Sequence, residues 1–276
     1  MASAIRVISF NILFDDPCGA HPWAGRRDQV AALLARWQPD LLCVQEALEG
    51  QKADLLAALP PFDAYGVGRD DGKSGGEQAP IFHRRDRFDL LDQGHFWLSP
   101  TPQQAGSVGW DAKHPRTAVW KHLVHRASGR PVLVVNTHYD HVGREANRKS
   151  IDVIGRNLPP TPPDCAVLLC GDFNSDEQSP AYGAIVRAGF RDAAAACASA
   201  YDAGPRFSYH RFQMDRYGRE AQAIMQTHDR AFRAIDHLFY RGNLAVARYR
   251  HLPDAADGAY PSDHFPVLCD LSWPRG

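Results

Sequence analysis

The stretch AVLLCGDFN (166–174) is the clearest guide to how this chain folds. Its first five residues are apolar and too few for a helix, so they predict a short buried strand that ends at the polar segment. A helical pattern precedes it at Arg144–Leu158 and is closed by prolines between residues 159 and 163. A second helix is predicted at Pro180–Ala188. A buried strand between two helices indicates an α/β fold.

Strands and helices alternate in the same way toward both ends of the chain. Helices are predicted at Gly25–Trp37, where apolar residues recur at helical spacing, and at Lys52–Leu59. From Phe62 to Val135, short β segments separated by Gly, Pro and Asp replace the helices. The predicted strands are Ile5–Phe10, Leu41–Val44, Ala79–His83, Ala118–His125, Val132–Val135, Ala234–Tyr240, Ala245–Tyr249 and Pro266–Leu271. No repeat or change of composition divides the chain, so one domain over residues 1–276 is expected.

Composition and charge narrow the class of protein. The chain has 276 residues, of which 44% are hydrophobic, and a formal net charge of −1. That charge does not favour a protein that grips nucleic acid mainly through phosphates, although a nucleic-acid substrate remains open. The six cysteines form no C-x-x-C pair, no apolar run reaches about 18 residues, and the first residues show no leader pattern. We expect free thiols, a cytoplasmic location, no transmembrane segment and a monomer.

Polar residues that can bind metal or phosphate come directly after several predicted strands. Strand ends are rigid yet open to solvent at one edge, which suits a preorganised site. Glu46 follows a buried strand, where a charge is costly unless a cation or a base accompanies it, so it is the best candidate for a metal ligand. The alternative is that Glu46 caps the helix that begins near Gly50. The residues at strand ends are Asn11, Glu46, His138, Asp172, Asn174 and Asp236.

Asp172 and Asn174 lie two residues apart in a segment expected to be extended, so both side chains would point to one side. A carboxylate there can accept the proton of a water molecule while the amide orients the water or a phosphate. The alternative is an Asx turn, which needs only one of the two residues. Phosphoester cleavage by water also needs charge neutralisation, which Mg²⁺ held by one or two carboxylates supplies.

Six short motifs occur in order along the chain: VISFN (7–11), VQE (44–46), VNTHYDH (135–141), CGDFN (170–174), AIDHLFY (234–240) and PSDHFPV (261–267). Together they resemble the endonuclease/exonuclease/phosphatase superfamily of metal-dependent phosphoester hydrolases, and the resemblance covers nearly the whole chain. Segments such as GWDAKHPRTAVW (109–120) are similar to a bacterial branch of these hydrolases. The resemblance implies an α/β (α+β) fold of four layers, a DNase-like sandwich of two packed, mostly antiparallel sheets flanked by helices.

The resemblance also implies a role for each residue that matches a motif. Asp172 would accept the proton of the attacking water, Asn174 would position the reactants, and His138 would contact the phosphate. His264 would donate to a phosphate oxygen and would be kept protonated by Asp236. The residues expected to hold Mg²⁺ or Mn²⁺ are Glu46, Asp263 and Asn11. Those expected to bind substrate are Asn11, Asn174 and His138. Independently of the resemblance, Arg116 is also expected to bind substrate, because a guanidinium fork can clamp a phosphate. Arg148 could do the same, and the alternative for each arginine is a surface salt bridge.

Two alternatives to a general phosphoesterase are a dedicated DNA or RNA nuclease and a non-catalytic member that binds a phosphorylated ligand or a protein. The near-neutral charge speaks against the first, and retention of every predicted acid speaks against the second. GKSGG (72–76) matches the esterase elbow G-x-S-x-G, but acids precede it and a predicted strand follows, so an esterase is rejected. Glu77, at the end of this Gly-rich loop, is a hypothetical partner of His138. Substrate specificity is expected in the loops 66–79 and 202–230.

Overall fold

Twelve strands and five helices occur in the described part of the computed structural model, which comprises residues 4–197, 199–200, 204–214, 232–255 and 258–274. The strands are β1 Ala4–Asn11, β2 Leu41–Gln45, β3 Phe62–Tyr65, β4 Ile81–Arg84, β5 Phe88–Trp97, β6 Thr117–His125, β7 Arg130–His138, β8 Ala166–Asp172, β9 Arg191–Asp192, β10 Asp236–Arg241, β11 Ala245–His251 and β12 Val267–Ser272. The helices are α1 Trp23–Trp37, α2 Glu49–Ala58, α3 Arg144–Asn157, α4 Pro180–Arg187 and α5 Ala193–Ala196. None of these helices is long and apolar enough to cross a membrane.

The strands form two six-stranded sheets. The first has the order β11-β12-β1-β2-β4-β3 and the second the order β5-β6-β7-β8-β10-β9. Each sheet contains one parallel pair, β1 with β2 and β7 with β8, and its other neighbours are antiparallel. The prediction of mostly antiparallel sheets is therefore confirmed, with a parallel pair inside each sheet.

Apolar side chains pack on both faces of each sheet. Between the sheets lies a core to which Val7 of β1 and Leu168 of β8 belong, while Ile8, the next residue of β1, packs with the helices α1 and α2. The outer face of the second sheet packs in the same way against α3 and α4, for example through Ile151. Successive residues of a strand point to opposite faces, so a strand covered on both sides reads as the continuous apolar run seen in AVLLC. The four-layer sandwich is confirmed.

The register of the parallel pairs brings polar residues to one edge of each sheet. Asn11 lies opposite Gln45 at the ends of β1 and β2, and His138 lies opposite Asp172 at the ends of β7 and β8. Gly171 is needed in this segment because a Cβ there would lie 2.1 Å from the carbonyl oxygen of Thr137. The parallel arrangement therefore places the strand ends of the motifs where a shared site can form.

Several predictions about elements require correction. Asp236 does not follow a strand but begins β10, and it reaches the same edge because β10 runs antiparallel to β8 and pairs it with Asp172. Helix α2 begins at Glu49 with Leu48 as its N-cap, so Glu46 does not cap it. The segment 72–76 connects β3 to β4 with no helix, so the rejection of an esterase elbow is confirmed. Of the predicted specificity loop 202–230, only residues 204–214 lie within the described residues.

Candidate active site

A cavity of about 480 Å³ opens at the edge where the ends of the two parallel pairs meet. Most of the residues predicted from the sequence line this cavity, and the two that do not, Asn11 and Asp236, lie behind it and hydrogen bond to residues that do. The predicted residues in the lining are Glu46, Arg116, His138, Asp172, Asn174, Asp263 and His264.

Asn11 connects the two carboxylates that face each other across the sheets. Its Nδ2 donates to Glu46 Oε1 at 2.9 Å and to Asp172 Oδ2 at 3.1 Å, and its Oδ1 accepts from the backbone N–H of Leu13 at 3.0 Å. The amide oxygen is therefore turned away from the carboxylates. This orientation favours a role in holding the two acids over the predicted role as a metal ligand.

Three residues that line the cavity have a left-handed backbone: Arg211 and the predicted site residues Glu46 and Asn174. The φ angle is 62° at Glu46 and 48° at Asn174, a conformation that is unfavourable for residues with a Cβ and is commonest at functional sites. The expectation that residues 172–174 are extended is therefore wrong. Asn174 instead donates its backbone N–H to Asp172 Oδ1 at 2.8 Å, and its Nδ2 lies 3.0 Å from His138 Nε2. The side chain of Asp172 thus forms an Asx turn, and the same turn contains the Asn174 whose side chain lies beside His138.

His264 and Asp236 form a buried pair. His264 Nδ1 lies 2.8 Å from Asp236 Oδ2, and its Nε2 lies 3.9 Å from Asp172 Oδ2. Burial by itself would lower the pKa of His264, but the charge and hydrogen bond of Asp236, with the charges of Asp263 and Asp172, raise this pKa well above the usual value. The geometry and the direction of the pKa shift favour a protonated imidazole at neutral pH.

Asp172 and His138 have pKa values shifted in opposite directions. Burial, with the charge of Asp236, raises the pKa of Asp172 to about 7, although His264 and Asn11 oppose this. Burial, with the charges of Arg116 and other nearby cations, lowers the pKa of His138 well below its usual value. His138 is therefore neutral, and its Nε2 accepts from the amide of Asn174. A neutral ring brings no positive charge to a bound phosphate.

Two groups of side chains could hold a metal ion. The ligand atoms of Glu46, His138 and Asp172 lie within 4.8 Å of one another, and so do those of Asp172, Asp236 and His264. Asp263 borders the same cavity but belongs to neither group among the described residues. Burial and the charge of Glu46 raise the pKa of Asp263. Several buried or half-buried carboxylates thus lie at one cavity, and a divalent cation with oxygen ligands fits such an excess of negative charge.

Arg116 and Glu77 line both this cavity and a small space of about 10 Å³ beside it. Glu77 Oε2 is 3.8 Å from His138 Nδ1, beyond hydrogen-bonding distance, and it accepts from Arg69 Nη1 at 2.7 Å. Glu77 is thus a neighbour of His138, but its hydrogen bond goes to Arg69. Burial, with the charge of Glu46, raises the pKa of Glu77 to about 7.

Other cavity residues carry no signal in the sequence. Arg69 and Tyr209 lie in loops, and the ring of Tyr209 lies 4.6 Å from the ring of His264. Tyr139, to which the sequence assigns no role, is fully buried in the core against Phe173. Arg148, a second arginine considered for phosphate binding, is paired with Glu145 on the surface of α3 and does not line the cavity.

A DNase-like α/β sandwich with acids and imidazoles at the shared edge of its sheets is the architecture of one class of hydrolases. The chain belongs to the Endonuclease/Exonuclease/phosphatase family, whose model matches residues 8–264. The match begins within the first motif and ends at His264 of the last one.

Relatives with solved structures resemble the chain over its whole length. An endonuclease/exonuclease/phosphatase from Bacteroides vulgatus is 34% identical with a TM-score of 0.87, covering 99% of this chain and 100% of that one. A mannosyl-6-phosphatase from Bacteroides thetaiotaomicron is 32% identical with a TM-score of 0.85, covering 98% of this chain and 100% of that one.

The chain is also similar in sequence to part of a longer protein. Nocturnin of Drosophila melanogaster is 24% identical in an alignment of 310 positions, gaps included, that covers 97% of this chain and 46% of that protein. The chain thus spans less than half the length of that relative.

Proposed function

We propose that the protein hydrolyses phosphoester bonds with the help of Mg²⁺ or Mn²⁺. The observation that carries the proposal is the grouping of Glu46, His138 and Asp172, whose ligand atoms lie within 4.8 Å of one another beside the cavity. A divalent cation bound there, with Glu46 as the main ligand, would neutralise phosphate charge and increase the acidity of a water molecule. Membership of the family and the similarity to a mannosyl-6-phosphatase support this activity.

Asp172 is the residue that we assign to accept the proton of the attacking water. Its Oδ1 accepts from the backbone of Asn174 and its Oδ2 from Asn11, so the carboxylate is held in one orientation. A pKa of about 7 matches the requirement for a base that works near neutral pH. Positioning and proton transfer are then supplied by one buried group.

His264 and Asn174 are assigned to the phosphate oxygens. A protonated His264, held by Asp236 through Nδ1, can donate from Nε2 to an oxygen on which negative charge develops. Asn174 is fixed by His138 Nε2 at 3.0 Å and by the carbonyl oxygen of Tyr139 at 2.9 Å, which keeps its side chain at the cavity. Neutral His138 thus positions Asn174.

The test is a screen of the purified protein with phosphomonoesters, phosphodiesters, DNA and RNA, each with MgCl₂, MnCl₂ or EDTA. Asp172→Asn should lower kcat by about 10²–10⁴-fold on any substrate that is cleaved. Its melting temperature should stay close to that of the wild type. Asp89→Asn, which changes an exposed acid paired with Arg126, is the matched control and should leave the rate unchanged. Turnover that survives EDTA or Asp172→Asn would contradict the proposal, and cleavage confined to nucleic acid would identify the nuclease alternative.

A further inference from the structure

One buried arginine beside the cavity lacks short hydrogen bonds. Arg116 is 6% exposed, and its Nε has no hydrogen-bond partner among the described residues. Its contacts are longer: 3.4 Å from Nη2 to His141 Nδ1, 3.6 Å from Nε to Asp140 Oδ2 and 3.8 Å from Nη1 to Glu77 Oε2. A buried charged group is costly when its hydrogen bonds are incomplete, so this position points to a ligand that completes them.

The two acids nearest to Arg116 are engaged by other donors. Glu77 accepts from Arg69 Nη1 at 2.7 Å. Asp140 holds two loop segments together, because its carboxylate oxygens accept from the backbone N–H groups of Lys113, His114, Val142 and Gly143 at 2.8–3.2 Å. Arg116 therefore keeps donors for an incoming anion.

Little space is left beside Arg116. Gln78, Ala79 and Thr117 line the space there and are at most 4% exposed, and the space left among them is about 10 Å³. That volume is about the minimum for one water molecule. Gln78 is itself fixed by Lys52 Nζ at 2.9 Å and Glu49 Oε2 at 2.6 Å. No second ester arm can extend in this direction.

More space lies beside Asn174. Asn174 and Ile235 also border a second groove of about 430 Å³, whose lining includes Ser175, Asp176 and Ser179. Hydroxyl, carboxylate and amide groups there can hydrogen bond to an alcohol that bears hydroxyl groups. The cavity thus has a narrow cationic part beside Arg116 and a wider polar part beside Asn174.

We propose that Arg116, assisted by Arg69, binds the unesterified oxygens of the substrate phosphate, and that the protein is therefore selective for phosphomonoesters. This inference rests on the proposed hydrolytic function. A monoester carries about −1.5 to −2 charges at pH 7 and three terminal oxygens, which suit a guanidinium fork. A diester carries one charge and needs room for two organic arms.

The reaction follows from this placement. The oxygen of water bonds to phosphorus as the bond from phosphorus to the alcohol oxygen breaks. One proton of the water passes to Asp172 and then to the departing alkoxide, so the products are the alcohol and inorganic phosphate. The alcohol leaves through the groove beside Asn174, while inorganic phosphate remains against Arg116.

The kinetic experiment uses p-nitrophenyl phosphate and p-nitrophenyl methyl phosphate, which share a leaving group. Wild-type protein with MgCl₂ should show a kcat/KM about 100-fold higher for the monoester. Arg116→Gln should lower kcat/KM for the monoester by about 10–100-fold, mainly through KM, and change the diester by less than about threefold. Arg148→Gln, which removes a surface arginine paired with Glu145, is the matched control and should change neither.

A binding experiment separates this inference from the proposed function. In Asp172→Asn protein, calorimetry should show inorganic phosphate binding at least about tenfold more tightly than dimethyl phosphate, with and without MgCl₂, and Arg116→Gln should remove the difference. Arg69→Gln, at a less buried position, repeats both measurements if Arg116→Gln does not fold. Equal use of both esters by the wild type, or an equal loss for both esters in Arg116→Gln, would overturn the inference. Absence of any turnover would overturn the proposed function and leave the binding comparison to decide the role of Arg116.

Discussion

The side-chain amide of Asn11, in the first sheet, donates to Asp172 Oδ2, in the second sheet, at 3.1 Å. The same nitrogen donates to Glu46 Oε1 at 2.9 Å. One amide group therefore holds together two carboxylates, Asp172 buried and Glu46 half-buried, that would otherwise repel each other. Stability of the sandwich and assembly of the site are coupled at this contact.

Asn11→Ala should lower the free energy of unfolding by about 1–3 kcal/mol in EDTA, because Glu46 and Asp172 lose their shared donor. MgCl₂ should recover part of this loss, since a cation can take the place of the donor between the acids. Urea unfolding with EDTA and with MgCl₂ measures both effects. Asn157→Ala, which removes an amide bonded to Val153 O on α3, is the control and should show no effect of MgCl₂. An equal response of the two variants to MgCl₂ would contradict the prediction.

Glu46→Gln should weaken binding of Mg²⁺ or Mn²⁺ at least about tenfold, because a neutral amide replaces the main carboxylate ligand. A ligand present at 100 times its Kd stabilises the folded state by about 2.7 kcal/mol, so the melting temperature of the wild type should rise with MgCl₂. Most of this rise should be absent in Glu46→Gln. Glu145→Gln on the surface of α3 should keep the full rise. Retention of the rise in Glu46→Gln would remove Glu46 as the ligand.

Asp236→Asn should move the alkaline limit of activity to lower pH. Activity that needs a protonated His264 is full below the pKa of that histidine and is lost as the pH rises through it. The charge and hydrogen bond of Asp236 help to raise this pKa, so removing the charge lowers it. Profiles of kcat/KM against pH for wild type and variant make the comparison. An unchanged alkaline limb would show that His264 does not act as the proton donor.

Buried neutral histidines should make the fold sensitive to acid. Burial lowers the pKa to about 4 at His83 and His251 and to about 3 at His210, whereas an unfolded chain has values near 6.5. As the pH falls from about 6.5 toward 4, the unfolded chain therefore gains protons that the folded chain does not. Each such histidine lowers the free energy of unfolding by about 1.4 kcal/mol per pH unit in that window.

His251→Asn provides the test of this acid sensitivity. An asparagine amide can replace the hydrogen bond between His251 Nδ1 and Pro205 O, which measures 2.9 Å, without adding a titrating group. The free energy of unfolding should be measured with urea at pH values from 7 to 4.5. Its slope against pH should be smaller in this variant, by an amount that corresponds to about one bound proton. His21→Asn, at an exposed position, should keep the wild-type slope. A slope that His251→Asn leaves unchanged would contradict the prediction.

Residues at the ends of predicted strands could be proposed as site residues because a local run of apolar residues shows where each strand lies. Glu46, His138 and Asp172 each stand beside an apolar run, and pairing of the strands brings them together. Asp236 was predicted to follow the end of a strand, whereas it is the first residue of β10. The apolar pattern marks the strand but gives no direction of pairing, and the antiparallel register of β10 places its first residue at the edge.

Features that depend on tertiary contacts could not be predicted in this way. β5 escaped assignment because most of its residues are exposed or only half-buried, so it lacks an apolar run. Arg69 reaches the cavity from a loop whose shape depends on backbone hydrogen bonds such as Arg69 N to Glu77 O at 3.0 Å. The left-handed backbone of Asn174 follows from contacts to His138 and Tyr139, which are distant in sequence.

β1 lies between β2, which follows it closely in the chain, and β12, which contains Val267–Ser272. During translation, β2 is therefore synthesised soon after β1, whereas β12 is synthesised much later. When Asp172 has just been synthesised, Glu46 is already present. At that stage β1 still lacks its partner β12, and His264 has not been synthesised. By the proposed mechanism, a nascent chain would cleave phosphoesters only after His264 has been synthesised and β12 has paired with β1.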